Sequence, residues 1–266
     1  MQDLSVTLIQ TNLFWEETQR NLDHFDKLLG QINEPTDLIL LPETFNTGFS
    51  INPAKCAEPV DGPSTHFLRQ KARDKNAVIM ATLLTCEGEG CYNRLITMHP
   101  DGHYEIYDKR HLFRLSEEHK IFKRGYQKLI VDVKGWKISP FTCYDLRFPV
   151  WTKNTYRDGN YGYDLLVYLA NWPAVRSYAW KTLLIARAME NQSCVAGVNR
   201  IGKDGHGYWH SGDSMAIDAK GNVVFAADEG SEAIQTVSFS AQDLKLFRDS
   251  YTLGMDWDQF TINAKP

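Results

Sequence analysis

The sequence has no hydrophobic run long enough to cross a membrane. Its longest apolar stretch, DLLVYLA at residues 164–170, is far shorter than the roughly 20 residues that a helical span requires. The first residues, MQDLSVTLIQTNLFWEE, contain no basic segment followed by a long apolar one, so no secretory signal is predicted. We therefore expect a cytoplasmic protein that has no membrane partner and whose thiols are reduced.

Positive charge is not in excess either. The 266 residues include 29 Lys and Arg against 33 Asp and Glu, which gives a formal net charge of -4. A protein that holds a phosphate backbone needs a surplus of positive charge. The composition therefore argues against nucleic acid as a partner.

Cysteine is sparse, and its spacing forms no metal-ligand pattern. Cys86 and Cys91 flank a glycine-rich turn (CEGEGC), but no second Cys or His pair stands at ligand spacing. His206 and His210 are four apart, and the glycines around them argue against a helical zinc face. We expect reduced thiols at Cys86 and Cys91 rather than a disulfide or half a zinc site, and no metal or other cofactor.

No repeat, low-complexity stretch or Pro/Gly/Ser-rich linker divides the chain, so we predict one domain over residues 1–266. Short apolar runs predict strands at 5–11, 37–43, 76–84, 91–98, 103–109, 128–133, 136–144, 164–170 and 193–200. Residues 214–227 and 233–239 predict a final antiparallel group with a tight turn at 218–221. Helices are predicted at 15–32, at 64–75 with Ser64 as N-cap, at 177–191 and at 241–251. Strands that are apolar on both faces must be covered on both, which indicates a layered α/β fold.

Three reactive residues stand at the ends of predicted strands. DLILLPE ends in Glu43, HYEIYDK ends in Lys109, and WKISPFTC ends in Cys143. Alone, each is ordinary: a solvated carboxylate, a surface cation and an inert thiol. Because sites in α/β sheets form at the carboxyl ends of strands, the three side chains are expected to meet in one pocket.

The segments around these residues carry a family resemblance. LILLPETFNTGF (38–49), YDKRHLF (107–113) and TCYDLRFP (142–149) resemble the three motifs of the carbon–nitrogen hydrolase, or nitrilase, superfamily. Further similarity lies in ANWP (170–173), ARAMENQ (186–192) and GDSMAIDAKGNV (212–223), so the resemblance covers nearly the whole chain.

That resemblance implies a fold, an assembly and an activity. The fold would be a four-layer αββα sandwich, and the chain would form a homodimer or a larger homo-oligomer with sheets stacked across the interface. Glu43, Lys109 and Cys143 would be a catalytic triad. The chain is most similar to the ω-amidase branch, which releases ammonia from small dicarboxylic acid monoamides such as 2-oxoglutaramate.

Amide hydrolysis gives each of these groups a task. A thiolate divides the reaction into acylation and thioester hydrolysis, but a free thiol with a pKa near about 8.5 must be activated. We assign Glu43 as the general base, and Lys109 with the backbone N–H of Tyr144 as donors to the oxyanion. Cys143 is expected on a strand-to-helix turn that exposes its sulfur.

Other residues are candidates for supporting roles. The resemblance implies a second carboxylate after the lysine motif, and we favour Glu118 over Glu117, with two solvated glutamates as the alternative. Trp172, Phe45 and Phe113 are candidate walls of the substrate pocket, although Trp172 could equally fill the core. The candidates for holding a substrate carboxylate are Arg114, Arg147 and Arg176, of which Arg147 is interpreted instead as a structural ion-pair partner. The glycine-rich segment 202–207 lacks phosphate-binding spacing and is interpreted as a flexible loop.

Two alternatives to an ω-amidase remain at this point. One is a superfamily amidase for a different small molecule, either a deaminated-glutathione-type or a carbamoyl substrate. The other is a catalytically silent scaffold on the same fold, against which the intact Glu, Lys and Cys argue.

Overall fold

The computed structural model describes residues 1–263. Its strands are β1 (Leu4–Gln10), β2 (Leu38–Leu40), β3 (Val78–Glu87), β4 (Gly90–Met98), β5 (Tyr104–Asp108), β6 (Val131–Val133), β7 (Trp136–Thr142), β8 (Tyr156–Arg157), β9 (Asn160–Tyr161), β10 (Leu165–Ala170), β11 (Cys194–Asn199), β12 (Ile201–Lys203), β13 (Trp209–Ser211), β14 (Met215–Ile217), β15 (Val223–Ala226) and β16 (Ala233–Phe239). Its helices are α1 (Thr18–Gly30), α2 (Pro53–Cys56), α3 (Pro63–Lys75), α4 (Glu118–Ile121), α5 (Pro149–Thr152), α6 (Ser177–Asn191) and α7 (Ala241–Ser250). The predicted domain of residues 1–266 stays a prediction, and its last three residues lie outside the described part.

The first six-stranded sheet has the order β16-β1-β2-β3-β4-β5. Strands β1, β2 and β3 are parallel, and the other neighbours are antiparallel. Successive side chains of a strand face opposite sides of the sheet. On β2, Leu38 and Leu40 join the core between the sheets, whereas Ile39 joins the core under α1 and α3. This alternation explains why β2 is apolar at every position.

The second six-stranded sheet has the order β15-β14-β11-β10-β7-β6, with β7, β10 and β11 parallel. Helix α6 covers its outer face with Trp180 and Leu184, which are buried in the same core as β10 and β11. Gly197 permits this close approach, because a Cβ at that position would lie 2.6 Å from Leu184 Cδ1. Helices therefore cover the outer faces of two stacked sheets, and the predicted αββα sandwich of the α/β class is confirmed.

The helices follow the predicted pattern with small differences at their ends. Helix α6 has the predicted bounds, while α1 is shorter than predicted and α7 ends one residue early. The prediction of Ser64 as an N-cap is wrong: Gly62 is the cap, and Pro63 opens α3. Proline is well suited to a first helical position because the missing N–H has no partner there. Among residues 1–263, no helix is long and apolar enough to span a membrane.

The antiparallel group at the end of the chain is divided between the two sheets. Strands β14 and β15 form the predicted hairpin in the second sheet. Strand β16 instead pairs with β1 over seven residues at the edge of the first sheet. The sequence does not reveal that β16 belongs to the other sheet, because hairpin strands and edge strands show the same alternating pattern.

The expectation of reduced thiols at Cys86 and Cys91 is wrong in this structure, which joins them in a disulfide. The register of β3 and β4 places the two residues directly opposite each other, with a Cα–Cα distance of 4.0 Å. The sequence analysis judged these two cysteines by their distance in sequence from other possible metal ligands. That criterion does not predict a disulfide, because the register of the two strands alone brings the sulfurs together. The free cysteines of the described chain are Cys56, Cys143 and Cys194.

Candidate active site

Side chains from the ends of three strands line one cavity of about 330 Å³. Glu43 follows β2 by three residues, Lys109 directly follows β5, and Cys143 directly follows β7. The first two belong to one sheet and the third belongs to the other. The structure thus brings together the three residues that the sequence places far apart, at the edge where the stacked sheets meet.

Glu43 is fully buried and held by three donors. Its Oε1 accepts hydrogen bonds from Lys109 Nζ at 2.9 Å and from Asn93 Nδ2 at 2.8 Å. Its Oε2 accepts the backbone N–H of Asn171 at 2.9 Å. The Asn171 amide also donates to the Glu43 carbonyl, so the residue after β10 fixes both ends of Glu43. A carboxylate with so many donors has one orientation, which a general base requires.

Lys109 is paired with a second buried carboxylate. Its Nζ lies 3.0 Å from Glu118 Oε2 and 3.1 Å from Glu118 Oε1, in addition to its contact with Glu43. Burial alone would lower the pKa of Lys109, but the charges of Glu118 and Glu43 outweigh it and hold this pKa above its ordinary value. Lys109 is therefore a permanent cation at the cavity wall.

Of the two glutamates in SEEH, the structure places Glu118 in this network. Glu118 is fully buried, whereas Glu117 is exposed and paired with Lys120. Burial raises the pKa of the Glu118 carboxyl; Lys109 opposes this rise and Glu43 adds to it. The geometry agrees with the preference for Glu118, and its catalytic support remains a prediction.

Cys143 lies in a strained turn at the end of β7. Its φ is +44°, a left-handed conformation that costs a non-glycine residue energy and is typical of functional sites. The expected helix does not start at once: residues Cys143–Arg147 form a 3₁₀ turn, and α5 begins at Pro149. The residue is partly exposed and lines the cavity, and its sulfur lies 3.9 Å from the Asn171 carbonyl oxygen.

The thiol is protonated in the resting site. Burial raises the pKa of Cys143 well above its ordinary value, and the charge of Glu43 raises it further, against the opposing charge of Lys109. A helix N-terminus or a cation thus does not hold Cys143 as a thiolate. A reaction at this sulfur would first have to remove the proton, and Glu43 is the neighbouring carboxylate.

Asp145 fixes the turn that carries Cys143. Its carboxylate is fully buried and accepts the backbone N–H of Thr142, the hydroxyl of Tyr107 and the backbone N–H of His111. These bonds join β7, β5 and the segment after Lys109. The sequence analysis missed Asp145, although its place two residues after Cys143 in the TCYDLRFP motif was the available signal.

The aromatic candidates separate into two groups. Trp172 and Phe113 line the cavity, and Trp172 also packs against Trp180 in the core, so both interpretations of Trp172 apply. Phe45 does not line it: its ring lies in the outer core beside Phe25 and Phe67, with ring centroids 5.2 and 6.2 Å away. The prediction of Phe45 as a substrate-binding residue is therefore wrong, because the turn after Glu43 directs its ring away from the cavity.

Phe49, which the sequence analysis missed, lines the cavity as Phe45 was predicted to do. Lys109 Nζ lies 5.0 Å from the centre of its ring. Tyr144 lines the cavity as well, edge-on to Phe113 at 5.1 Å. The oxyanion role of the Tyr144 backbone N–H stays a prediction.

Two arginines line the cavity, each against an aromatic ring. The Arg147 guanidinium lies 4.8 Å from the Trp172 ring centre, and that of Arg176 lies 5.3 Å from the Phe113 ring centre. Within residues 1–263 neither has a salt-bridge partner, so the interpretation of Arg147 as a structural ion-pair residue is wrong. Arg114 is exposed and does not line the cavity.

The glycine-rich segment forms a hairpin that supplies another cavity wall. Strands β12 and β13 pair antiparallel, and a bridge between Ile201 and Asn12 attaches them to the body. The cavity-lining residues of this hairpin are Asp204, His206, Tyr208 and His210. Burial, with the charge of Arg200, lowers the pKa of His210 to about 4, so this ring is neutral near pH 7. The loop interpretation overlooked that the segment follows β11 at the same sheet edge.

The described residues contain no group of three or more His, Cys, Asp or Glu side chains that would hold a metal ion. His206 and His210 belong to the cavity wall instead.

The sequence model of the carbon-nitrogen hydrolase family matches residues 5–249. The chain belongs to the carbon–nitrogen hydrolase family. It is accordingly a hydrolase of carbon–nitrogen bonds other than peptide bonds. This membership agrees with a cavity that contains a thiol, a buried carboxylate and a fixed cation.

Individual members of the carbon–nitrogen hydrolase family match the chain over its whole length. "Omega-amidase YafV" of Yersinia enterocolitica is 41% identical over 98% of this chain and 100% of its own. "2-oxoglutaramate amidase" of Bacillus subtilis is 28% identical over 92% of this chain and 94% of its own. The crystal structure of XC1258 from Xanthomonas campestris, a CN-hydrolase superfamily protein with an arsenic adduct in its active site, is 41% identical and superimposes with a TM-score of 0.96, covering 99% and 100% of the two chains.

Proposed function

We propose that this chain is an ω-amidase, a single catalytic domain that hydrolyses the amide of small dicarboxylic acid monoamides such as 2-oxoglutaramate and releases ammonia. The observation that carries the proposal is the buried network in which Lys109 contacts both Glu43 and Glu118 beside the Cys143 thiol. The names of the relatives from Yersinia and Bacillus support the substrate class.

In the first half-reaction Cys143 becomes acylated. The thiol proton passes to Glu43 as Sγ attacks the amide carbonyl carbon, which avoids a free thiolate in a site that disfavours one. Lys109 and the backbone N–H of Tyr144 stabilise the oxyanion, and one such donor is typically worth about 100- to 1000-fold in turnover. When the tetrahedral intermediate collapses, the C–N bond breaks and Glu43 gives its proton to the leaving nitrogen, which departs as ammonia.

In the second half-reaction water cleaves the thioester. Glu43 takes a proton from the attacking water, and the same donors stabilise the second oxyanion. Collapse of this intermediate breaks the C–S bond, returns the proton to the sulfur and releases the carboxylic acid. Glu118 supports both steps by holding Lys109 at two oxygens, at 3.0 and 3.1 Å.

The cavity suits a small substrate with a negative charge at one end. Its volume of about 330 Å³ is at the lower end of the range for ligand pockets, roughly 300–1000 Å³. Arg147 and Arg176 are lining cations without carboxylate partners among the described residues, so a substrate carboxylate would supply the missing charge. Trp172 and Phe113 beneath them would hold the aliphatic chain.

The proposal includes a homodimer or larger homo-oligomer, and a cytoplasmic location. Exposed apolar residues on α6 and the turn before it support the assembly, including Val175 and Tyr178. Fractionation of cells that produce the tagged chain tests the location.

Ammonia release from an amide panel tests the activity. The panel contains 2-oxoglutaramate, succinamate, glutamine, butyramide and simple nitriles, and we expect the two monoamides to give the highest kcat/KM. Cys143→Ala should reduce turnover at least on the order of 10³-fold without loss of folding. A folded wild-type chain that hydrolyses none of these amides would favour the catalytically silent scaffold. A higher kcat/KM for another amide would contradict the proposed substrate class.

The same panel tests the two arginines. Arg147→Gln and Arg176→Gln each remove a charge-assisted hydrogen bond to the substrate carboxylate, which should lower kcat/KM for the monoamides about 10- to 100-fold. Butyramide has no carboxylate and is the matched control, so its kcat/KM should change by less than about threefold. An equal loss on both substrates would contradict the carboxylate role.

A further inference from the structure

A single asparagine connects the two buried carboxylates of the site. Asn93 lies on β4 opposite Leu84 of β3, and it is fully buried. Its Nδ2 lies 2.8 Å from Glu43 Oε1 and 3.1 Å from Glu118 Oε1. Since an amide nitrogen carries two hydrogens, each carboxylate can receive one of them.

The backbone of Asn93 contacts the third member of the network. Its carbonyl oxygen accepts the backbone N–H of Lys109 at 2.9 Å. The Lys109 ammonium in turn contacts Glu43 and Glu118. Asn93 therefore fixes the backbone of Lys109 and also binds Glu43 and Glu118, the two carboxylates that contact the lysine ammonium.

The amide of Asn93 is oriented by these two carboxylates alone. Its Oδ1 is buried and has no hydrogen-bond partner among the described residues. An unpaired buried acceptor costs about 1–3 kcal/mol. The reverse orientation would direct Oδ1 at two carboxylate oxygens, which is worse because both sides are acceptors. Asn93 therefore leaves its own Oδ1 without a partner while its Nδ2 donates to both carboxylates, which indicates that it stabilises them rather than the surrounding core.

The charge balance explains what an amide contributes there. Two carboxylates share one ammonium in a buried site, and burial, together with the charge of Glu43, raises the pKa of the Glu118 carboxyl. A neutral donor stabilises ionised carboxylates without adding a cation that would compete with Lys109 for the oxyanion. No other side-chain amide among the described residues donates to both Glu43 and Glu118.

We propose that Asn93 is a positioning residue of the reaction: its amide keeps the Glu43 carboxylate aimed at Cys143, and holds the Glu118 carboxylate against Lys109. The inference rests on the proposed function, in which Glu43 acts as the base. Asn93 does not line the cavity, so it acts through these groups and not on the substrate.

The test measures kcat and KM against pH for wild type, Asn93→Ala and Asn93→Asp, with the amide that wild type hydrolyses fastest. We expect kcat to fall on the order of 100-fold in Asn93→Ala, with KM within about threefold, because a misaligned base slows chemistry more than binding. The acidic limb of kcat/KM should move to higher pH, since Glu118, whose pKa is already raised by burial, loses the Asn93 donor that opposes this rise. Asn93→Asp keeps the side-chain shape but replaces the donor with an acceptor, so its loss should be at least as large.

Asn154→Ala is the matched control for general destabilisation. Asn154 is also buried, and its amide donates to the carbonyls of Tyr163 and Asn191, away from the cavity. This variant should have a lower Tm with kcat and the acidic limb unchanged within about twofold.

Two results would overturn the inference alone: an active wild type whose Asn93 variants keep the wild-type acidic limb, or variants whose loss of kcat is no larger than their loss of folded protein. An inactive wild type overturns the proposed function, and this inference with it.

Discussion

At the scale of a residue, the site disfavours the thiolate form of Cys143. The pKa of the Cys143 thiol is raised by burial and by Glu43, although Lys109 opposes this. A thiol of this kind is poorly reactive alone, and in the proposed reaction it depends on Glu43 for activation.

This arrangement predicts how the site titrates. The thiolate absorbance at 240 nm, taken as the difference between wild type and Cys143→Ala, should be absent at pH 7 and reach half its maximum above about pH 8.5, the ordinary value for a thiol. The sign follows from the raised pKa, since the protonated form then persists to higher pH. Cys56 and Cys194 cancel in the difference because both chains contain them.

A stable thiolate signal at pH 7 would contradict this account of activation. It would mean that Lys109 outweighs burial and Glu43 at the sulfur, so that the enzyme rests as an ion pair. Denatured wild type is the control, because its difference signal should titrate near the ordinary thiol value.

At the scale of an element, the β3–β4 hairpin is closed by the Cys86–Cys91 disulfide two residues before Asn93. Wild type purified without reductant should therefore expose three alkylatable thiols per chain when denatured, and five after reduction. A disulfide over so short a loop contributes about 2 kcal/mol to the free energy of unfolding. The Cys86→Ser/Cys91→Ser double variant should lose about that amount in urea unfolding.

Reductant provides the matched comparison for the hairpin. It should lower the Tm of wild type and leave the Tm of the double variant unchanged. Five alkylatable thiols in unreduced wild type would contradict the disulfide.

The elements also show how far the sequence can be interpreted. Apolar runs revealed the strands, and the polar residue at the end of a run placed Glu43, Lys109 and Cys143 at one cavity. Side-chain direction in a turn was not readable, because Thr44 has a φ of +45° that directs Phe45 into the core.

Contacts across strands were equally hidden. Asn93 reaches Glu43 and Glu118 only through the register of β4, and the same register pairs Cys86 with Cys91. A one-residue slip of a strand would turn Asn93 to the other face. A sequence pattern identifies which residues belong to a strand but leaves its partner and register open, so these two features required coordinates.

At the scale of the whole molecule, helix α6 presents apolar residues on both sides. Trp180 and Leu184 face the second sheet. On the outward side, Tyr178 is 82% exposed and Met189 is 53% exposed, and Val175 before the helix is 82% exposed. Leu115, which lines the cavity, is 81% exposed. The contact between Arg176 and the Phe113 ring links the segment that carries Leu115 to the turn before α6. Exposed apolar residues of this kind are expected where a protein associates with a partner, which supports the proposed homo-oligomer.

This surface predicts self-association next to the cavity. Wild type at micromolar concentration should have a mass in light scattering that is at least twice the 30.5 kDa of the chain. Tyr178→Glu would place a charge in the proposed interface, so it should dissociate the oligomer to the mass of one chain. Its far-UV circular dichroism spectrum should stay unchanged, because the residue is exposed in the single chain. Leu246→Glu on α7, at 55% exposure, makes the same substitution away from α6 and should keep the wild-type mass. A wild-type mass of one chain would contradict the interface, and dissociation by both variants would place it elsewhere on the surface.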